Sequence, residues 1–484
     1  MQSTACPRQR SEKCDQATRT AGDDPVVPAG AHVKRCKVAA KLTDSNGRSH
    51  RVRAVPICII QTGWRRLGLP RRSPVRRWAA TIGDPHSRRD TVLETQAPTQ
   101  PDLVSRASGL IPILRKHALW HEEHRRLHDE VLEALTASGV LRMRIPHRYG
   151  GYQSDARTVL YVLRELSRGD GSTAWTASVW SISSWLACLF PDEVQDEVFS
   201  SPDTRVCGVL TPSAVAEPTS GGFTVNGQWR FVSGALHSQW QAIIALGPAP
   251  DGTQWPVLGL VPMSDLEIVD DWHTAGLRGT GSVTVVAQGV FVPQERIIPM
   301  PAVLTEQYAS RTNAEHGLYR QPMMAIGCSS FTGSAIGLGK AALEGFLEQL
   351  PERKITYTSY DSQREAPLTH FQVAGASLKL EEAEFHARRL ADLVDGKSVA
   401  GDSWTVHERA LARVSLGRVF DLTKEAVGVL RTASGGSSIY SDVPIQRIDR
   451  DVQTLNMHAL MHPNTNYELY GRVLCGLEPN TQYL

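Results

Sequence analysis

The spacing of hydrophobic and polar positions changes period twice along this chain. Over residues 103–141, as in "LRKHALWHEEHRRLHDEVLEAL", apolar residues recur three and four apart, the helical spacing, and Gly139 is the expected stop. The loop "PHRYGG" (146–151) follows, and helix resumes over 155–200. Beyond Ser172 that helix is apolar on nearly every side, which suits a core. Its interruptions argue against a membrane span. Between about 205 and 300 the pattern turns to β. "FTVNGQWRFVSG", "QAIIALG", "WPVLGLVP" and "SVTVVAQGVFVP" are short β-branched runs cut by Gly, Pro and Asp. Such runs predict a small barrel or sheet domain. From about 320 the helical period returns in "SAIGLGKAALEGFLEQL", "THFQVAGASLKLEEAEFHARRLADLV" and "WTVHERALARVSLGRVFDLTKEAVGVLR", with a fourth stretch near the end. Long helices on short connections predict an antiparallel bundle. The expected class is α+β, mainly α. A helical domain is expected at 93–204, a central β domain at 205–300, and a C-terminal antiparallel four-helix bundle at 301–484.

One stretch combines pattern with chemistry. In "NGQWRFVSG" (226–234), strand alternation places Trp229, Phe231 and Ser233 on one face. Two rings ending in a hydroxyl suit a flat ligand with polar edges; they equally suit an ordinary core edge.

Charge separates the first 90 residues from the rest. They hold 19 Lys+Arg against 7 Asp+Glu, while the whole chain holds 52 against 50. Basic, Pro-broken runs such as "RRLGLPRRSPVRR" carry no sustained apolar period, so residues 1–92 are expected to form a disordered basic extension. A nucleic-acid arm or a targeting segment are the functional readings of such a run. Without interleaved aromatics neither nucleic acid nor membrane is expected as a partner. No C-x-x-C pair occurs among the eight cysteines, so no metal site is expected. The cysteines of the body, spaced far apart among apolar residues, are expected to be buried thiols in a reducing cytoplasm.

The order of helices, β domain and bundle, together with "GDGSTAW" (169–175), "NGQWRFVSG", "GLRGTGS" (276–282), "SGGSSIY" (434–440) and "RDVQTLNMHAL" (450–460), resembles the acyl-CoA dehydrogenase superfamily. Within it the chain is most similar to the two-component (group D) flavin-dependent monooxygenases. The resemblance covers roughly residues 95–484. It implies an oxygenase component using reduced FMN or FAD, supplied by a separate NAD(P)H:flavin reductase, with O2 as co-substrate. A flavin C4a-hydroperoxide would hydroxylate an aromatic or heteroaromatic small molecule. Phe231 matches the aromatic beside the flavin ring, with Trp229 on the same strand, and Ser233 matches the hydroxyl at flavin N5. His458 stands where the dehydrogenases carry a catalytic Glu, and the resemblance implies a substrate base, suited to imidazole near neutrality. Gly435 and Gly436 match the place where a neighbouring subunit approaches the flavin tail in a homotetramer. Ser183, Trp185 and Arg278 are the implied substrate pocket. Ser183 departs from the His often found two residues before this Trp, which turns expectation from simple phenols toward indoles, polycyclic aromatics or amines.

Three rivals stand beside this expectation. They are an N-oxygenase of an amine or amino sugar, an acyl-CoA dehydrogenase, and a non-catalytic flavin-binding scaffold. The dehydrogenase is weakened because neither position 458 nor 459 is a carboxylate and Glu468 lies ten residues beyond His458.

Overall fold

A computed structural model describes residues 41–43, 49–51 and 99–484. In the first of its two units, residues 1–91, strands β1 (Lys41–Thr43) and β2 (Ser49–Arg51) pair antiparallel. The expectation of a disordered extension otherwise lies outside the described residues.

The second unit opens with helices α1 (Gln100–Gly109), α2 (Ile111–His124), α3 (Asp129–Ser138), α4 (Ala156–Gly169), α5 (Gly171–Ala187) and α6 (Asp192–Val198). The helical run of 155–200 is broken at Asp170. Its extended backbone ends α4, and its carboxylate accepts the Thr173 amide 2.9 Å away to start α5. Helix α5 is almost wholly buried, as its lack of a polar face requires.

Strands β3 (Val206–Gly208), β4 (Ala214–Thr219), β5 (Gly222–Val232), β6 (Trp240–Pro248), β7 (Gln254–Pro262), β8 (Glu267–Val269), β9 (Val283–Pro293) and β10 (Ile297–Pro299) follow. They form one sheet in the order β10-β7-β6-β4-β5-β9-β8, with β3 also on β6. Most pairs are antiparallel; β6 pairs parallel with both β3 and β4. The inner residues Val225, Trp229, Val232, Ile243, Val283 and Val285 make a core of their own.

Helices α7 (Met300–Leu304), α8 (Met323–Gln349), α9 (Pro367–Ala400), α10 (Val406–Ala433), α11 (Pro444–Asn456) and α12 (Pro463–Leu474) complete the unit. The N-terminal half of α8 is buried and lies against α4 at very short range. A β-carbon on Gly337 would stand 2.2 Å from the Arg164 carbonyl oxygen, and one on Gly333 2.3 Å from that of Leu160. Gly337→Ala is therefore expected to push the two helices apart, at about 1–3 kcal/mol. The check is urea unfolding; an unchanged midpoint would contradict this crossing.

Candidate active site

Strand β5 does not keep the alternation its sequence suggests. Trp229 pairs with Val285 and Val232 with Val283, so two residues of β5 stand opposite one of β9. This bulge puts Phe231 at φ +65°, in the left-handed region. The extra residue turns the side chains over, which corrects the expected common face. Trp229 points into the sheet core, fully buried, its indole N–H donating to the Ile244 carbonyl at 2.8 Å. Phe231 points out and is 61% exposed, edge-on to Trp272 with ring centroids 5.9 Å apart. Holding an aromatic residue at positive φ costs on the order of 1–3 kcal/mol.

Ser233, just past the bulge, is the hub of a buried polar cluster. Trp175 Nε1, from the first turns of α5, donates to Ser233 Oγ at 3.0 Å. Ser233 Oγ lies 2.6 Å from Ser282 Oγ, which lies 2.6 Å from Thr280 Oγ1. Thr280 Oγ1 donates to the Leu277 carbonyl at 2.8 Å. The Trp175 ring stacks on Phe331 of α8 at 5.0 Å and meets the His458 ring edge-on at 5.3 Å. Residues far apart in sequence thus meet around one indole, with Ser233 on its nitrogen and His458 beside its ring.

His458 lies in the turn after α11. The residue is exposed at the surface, yet protein crowds it closely. Desolvation there lowers its pKa to about 4, so the ring is neutral at pH 7. Its Nδ1 accepts the Leu460 amide N–H at 3.2 Å. A nitrogen that accepts cannot carry the proton, so the neutral ring bears it on Nε2 and offers an N–H donor. A substrate base needs a free lone pair, and this one is engaged. As the ring is placed, His458 offers a donor at Nε2 and no free lone pair to a base role.

The loop holding Leu277, Thr280 and Ser282 is clamped from α11. Asp451 Oδ1 accepts the Leu277 amide at 2.6 Å, and Arg450 donates to the Ala275 carbonyl while pairing with Glu122 at 2.5 Å. Trp272 Nε1 donates to the Leu277 carbonyl at 3.0 Å. Burial raises the Asp451 pKa to about 7, against the pull of the Leu277 N–H; the nearby carboxylate of Asp170 adds to the rise.

The other expected residues are placed as follows. Arg278 rides on this loop, and its buried Nε has no partner. Ser183 is buried against Gly208 of β3. Trp185 is fully buried in the helical core, its N–H donating to the Leu318 carbonyl at 3.1 Å. Its ring and its one polar atom are both engaged, which corrects its expected place in a substrate pocket. Gly435, at φ +63° and ψ −167°, takes a conformation open essentially to glycine alone. It and Gly436 begin the turn after α10, with Arg353 and Ser437 nearby. Glu468 is exposed on α12. Trp175, Thr280 and Ser282 were not singled out by sequence, though each lies inside a motif that was.

The chain is similar to known proteins along most of its second unit. The acyl-CoA dehydrogenase N-terminal domain matches residues 112–199 and the C-terminal domain residues 329–463. The chain is 30% identical to the oxygenase component of the FADH2-dependent resorcinol hydroxylase of Rhizobium sp., over 80% of this chain and 98% of that protein. It is 29% identical to the flavin-dependent monooxygenase oxygenase subunit HsaA of Rhodococcus jostii, over 77% and 98% respectively. Among solved structures, XiaF from Streptomyces sp. in complex with FADH2 and glycerol superimposes with a TM-score of 0.74 at 30% identity, covering 79% of this chain and 97% of that one. The fold is that of the acyl-CoA dehydrogenases. On it, the chain belongs to the family of flavin-dependent monooxygenase oxygenase components, which are oxidoreductases.

Proposed function

We propose that the protein accepts reduced flavin from a separate flavin reductase and, with O2, hydroxylates an aromatic or heteroaromatic small molecule. The carrying observation is Ser233, a buried hydroxyl fixed by Trp175 and Ser282 beside the outward-turned Phe231. The Rhizobium relative is FADH2-dependent and the Streptomyces structure holds FADH2, which supports FADH2 as the form used, with reduced FMN the other candidate.

The residues present fit a flavin. Phe231 offers an open ring held outward by strained backbone, Ser233 an unspent lone pair, and the orphaned Arg278 Nε a buried donor for an electronegative atom. When bound, reduced flavin supplies two electrons to O2, of which one oxygen atom enters the substrate and the other leaves as water. Phe231 packs on the ring system. Ser233 accepts a hydrogen bond from flavin N5–H and holds that proton in place; in a dry site one directed bond counts for more. The Nε2–H of His458 would donate a hydrogen bond to an electronegative atom of the substrate and so fix the orientation of its ring. Phe331 and Trp175 supply apolar surface and keep water from the reacting atoms.

The test is purified protein with FAD or FMN, an NADH-driven flavin reductase and a panel of phenols and indoles, analysed by mass spectrometry. Products 16 mass units heavier are expected, with both oxygenase and reductase required. A tightly bound yellow flavin reduced by an acyl-CoA would instead establish a dehydrogenase.

The working unit is proposed to be a homotetramer. On α9, Phe371, Leu378 and Phe385 recur every seven residues, all exposed, with Leu368 beside them. Such a stripe is the seam of a helix that packs on another helix. A groove of about 740 Å³, lined by Leu350, Thr369 and Val373, opens next to it. The double variant Phe371→Glu, Leu378→Glu is expected to lower the mass measured by light scattering at micromolar concentration; a monomeric wild type would end this reading. The body cysteines are free thiols, three of them buried, which supports a reducing cytoplasm. Among the described residues no helix is long and apolar enough to cross a membrane.

A further inference from the structure

We propose that Thr280 and Ser282 are positioning residues that fix the direction of the Ser233 proton, so that the site selects reduced over oxidised flavin. The proposal rests on the flavin reading above and adds to it Thr280 and the direction of the Ser233–Ser282 bond.

The direction follows from a chain of hydroxyls with one fixed end. The Leu277 carbonyl can only accept, so Thr280, 2.8 Å away, must donate its single proton to it. Thr280 then meets Ser282, at 2.6 Å, only as an acceptor, and Ser282 must be the donor. Ser282 in turn meets Ser233, at 2.6 Å, only as an acceptor, and Ser233 gives its proton there. Trp175 Nε1, which can only donate, occupies one lone pair of Ser233 Oγ. What remains on Ser233 is one lone pair. All three hydroxyl residues are buried, so water does not compete for these bonds. The carbonyl at the fixed end is itself held, since Asp451 binds the Leu277 amide and Trp272 its oxygen.

A free serine hydroxyl turns to suit either partner. This one does not. Reduced flavin carries a hydrogen on N5, and oxidised flavin carries a lone pair there. A Ser233 that can only accept matches the first and opposes the second.

The experiment measures two dissociation constants for the full-length protein: reduced FAD titrated anaerobically, and oxidised FAD titrated in air. Wild type is expected to bind the reduced form more tightly. Thr280→Val and Ser282→Ala, which free the Ser233 proton to face the ligand, are expected to lower the ratio of the two constants roughly tenfold, about threefold from each form. Thr280→Ser, which keeps the hydroxyl, is expected to keep the ratio. If Thr280→Val and Ser282→Ala retain the wild-type ratio while Ser233→Ala loses it, the hydroxyl chain is overturned and the flavin site stands. A Thr280→Ser variant with the ratio of Thr280→Val overturns it too, because the effect would then be one of packing. If wild type binds neither form, the flavin reading itself fails, and this proposal with it.

Discussion

His458→Ala is expected to slow product formation roughly 10²–10³-fold and to leave the fate of reduced flavin without substrate almost unchanged. The size is that of losing one well-placed hydrogen bond that orients a bound substrate. The selectivity follows from position. His458 meets the Trp175 ring edge-on while Ser233 takes the ring's N–H, and the lowered pKa of His458, about 4, leaves it a neutral Nε2–H donor across the neutral range. On the proposed function it acts on the substrate, whereas Ser233 acts at the flavin. Ser233→Ala should do the reverse, hastening reoxidation of bound reduced flavin and releasing H2O2 even without substrate. Rapid-mixing absorbance with parallel assays of product and peroxide separates the two. His458→Gln, which restores an N–H donor but no base, is expected to recover part of the lost rate. Wild-type yield from His458→Ala would remove the residue from the mechanism. A dead His458→Gln beside a fully folded protein would show that His458 acts as a base.

What could be read along the chain was whatever depends on local period. Helix, then strand, then helix follows from spacings of three to four and of two, and these survive in α2 to α5, β4 to β9 and α8 to α10. The unusual burial of α5 was legible for the same reason, since a helix without a polar face has nowhere else to go. The same feature concealed which of its residues meet Ser233 and His458. An all-apolar helix gives no sign of which face meets core and which meets ligand, so Trp185 was placed at the site and Trp175 was not. The bulge in β5 was hidden for a different cause. It consists of a mismatch between residues 230–231 and Thr284 of a strand more than fifty positions away, and no pattern within β5 records that count. What bears on the base role expected of His458 is one backbone amide, that of Leu460 at its Nδ1, which a sequence does not orient.

The arginine–aspartate pair at 450–451 was visible as a motif but not as a clamp, and its removal carries the second large expected effect. Asp451 sits in the protein interior with its pKa raised from 3.8 to about 7. The sign follows from the raised value. The unfolded chain releases this proton near pH 4 and the folded one near pH 7, so the contribution to stability is complete below about pH 4. It declines as pH rises and is gone above about pH 7. Between pH 5 and pH 8 that amounts to about 3 kcal/mol, two pH units at 1.36 kcal/mol each. Asp451→Asn keeps an oxygen for the Leu277 amide and has no proton to lose. Relative to wild type it is expected to gain that stability between pH 5 and pH 8, read from urea unfolding at each pH. Subtracting one protein from the other cancels the remaining carboxylates. A difference that stays flat over this range would show that Asp451 is ionised throughout. Asp451→Ala is the harsher change, since it leaves the Leu277 amide without its acceptor and the 276–282 loop without its hold on α11. Because Thr280 and Ser282 hang from that loop, Asp451→Ala should leak H2O2 as Ser233→Ala does, although Asp451 itself makes no hydrogen bond to Ser233.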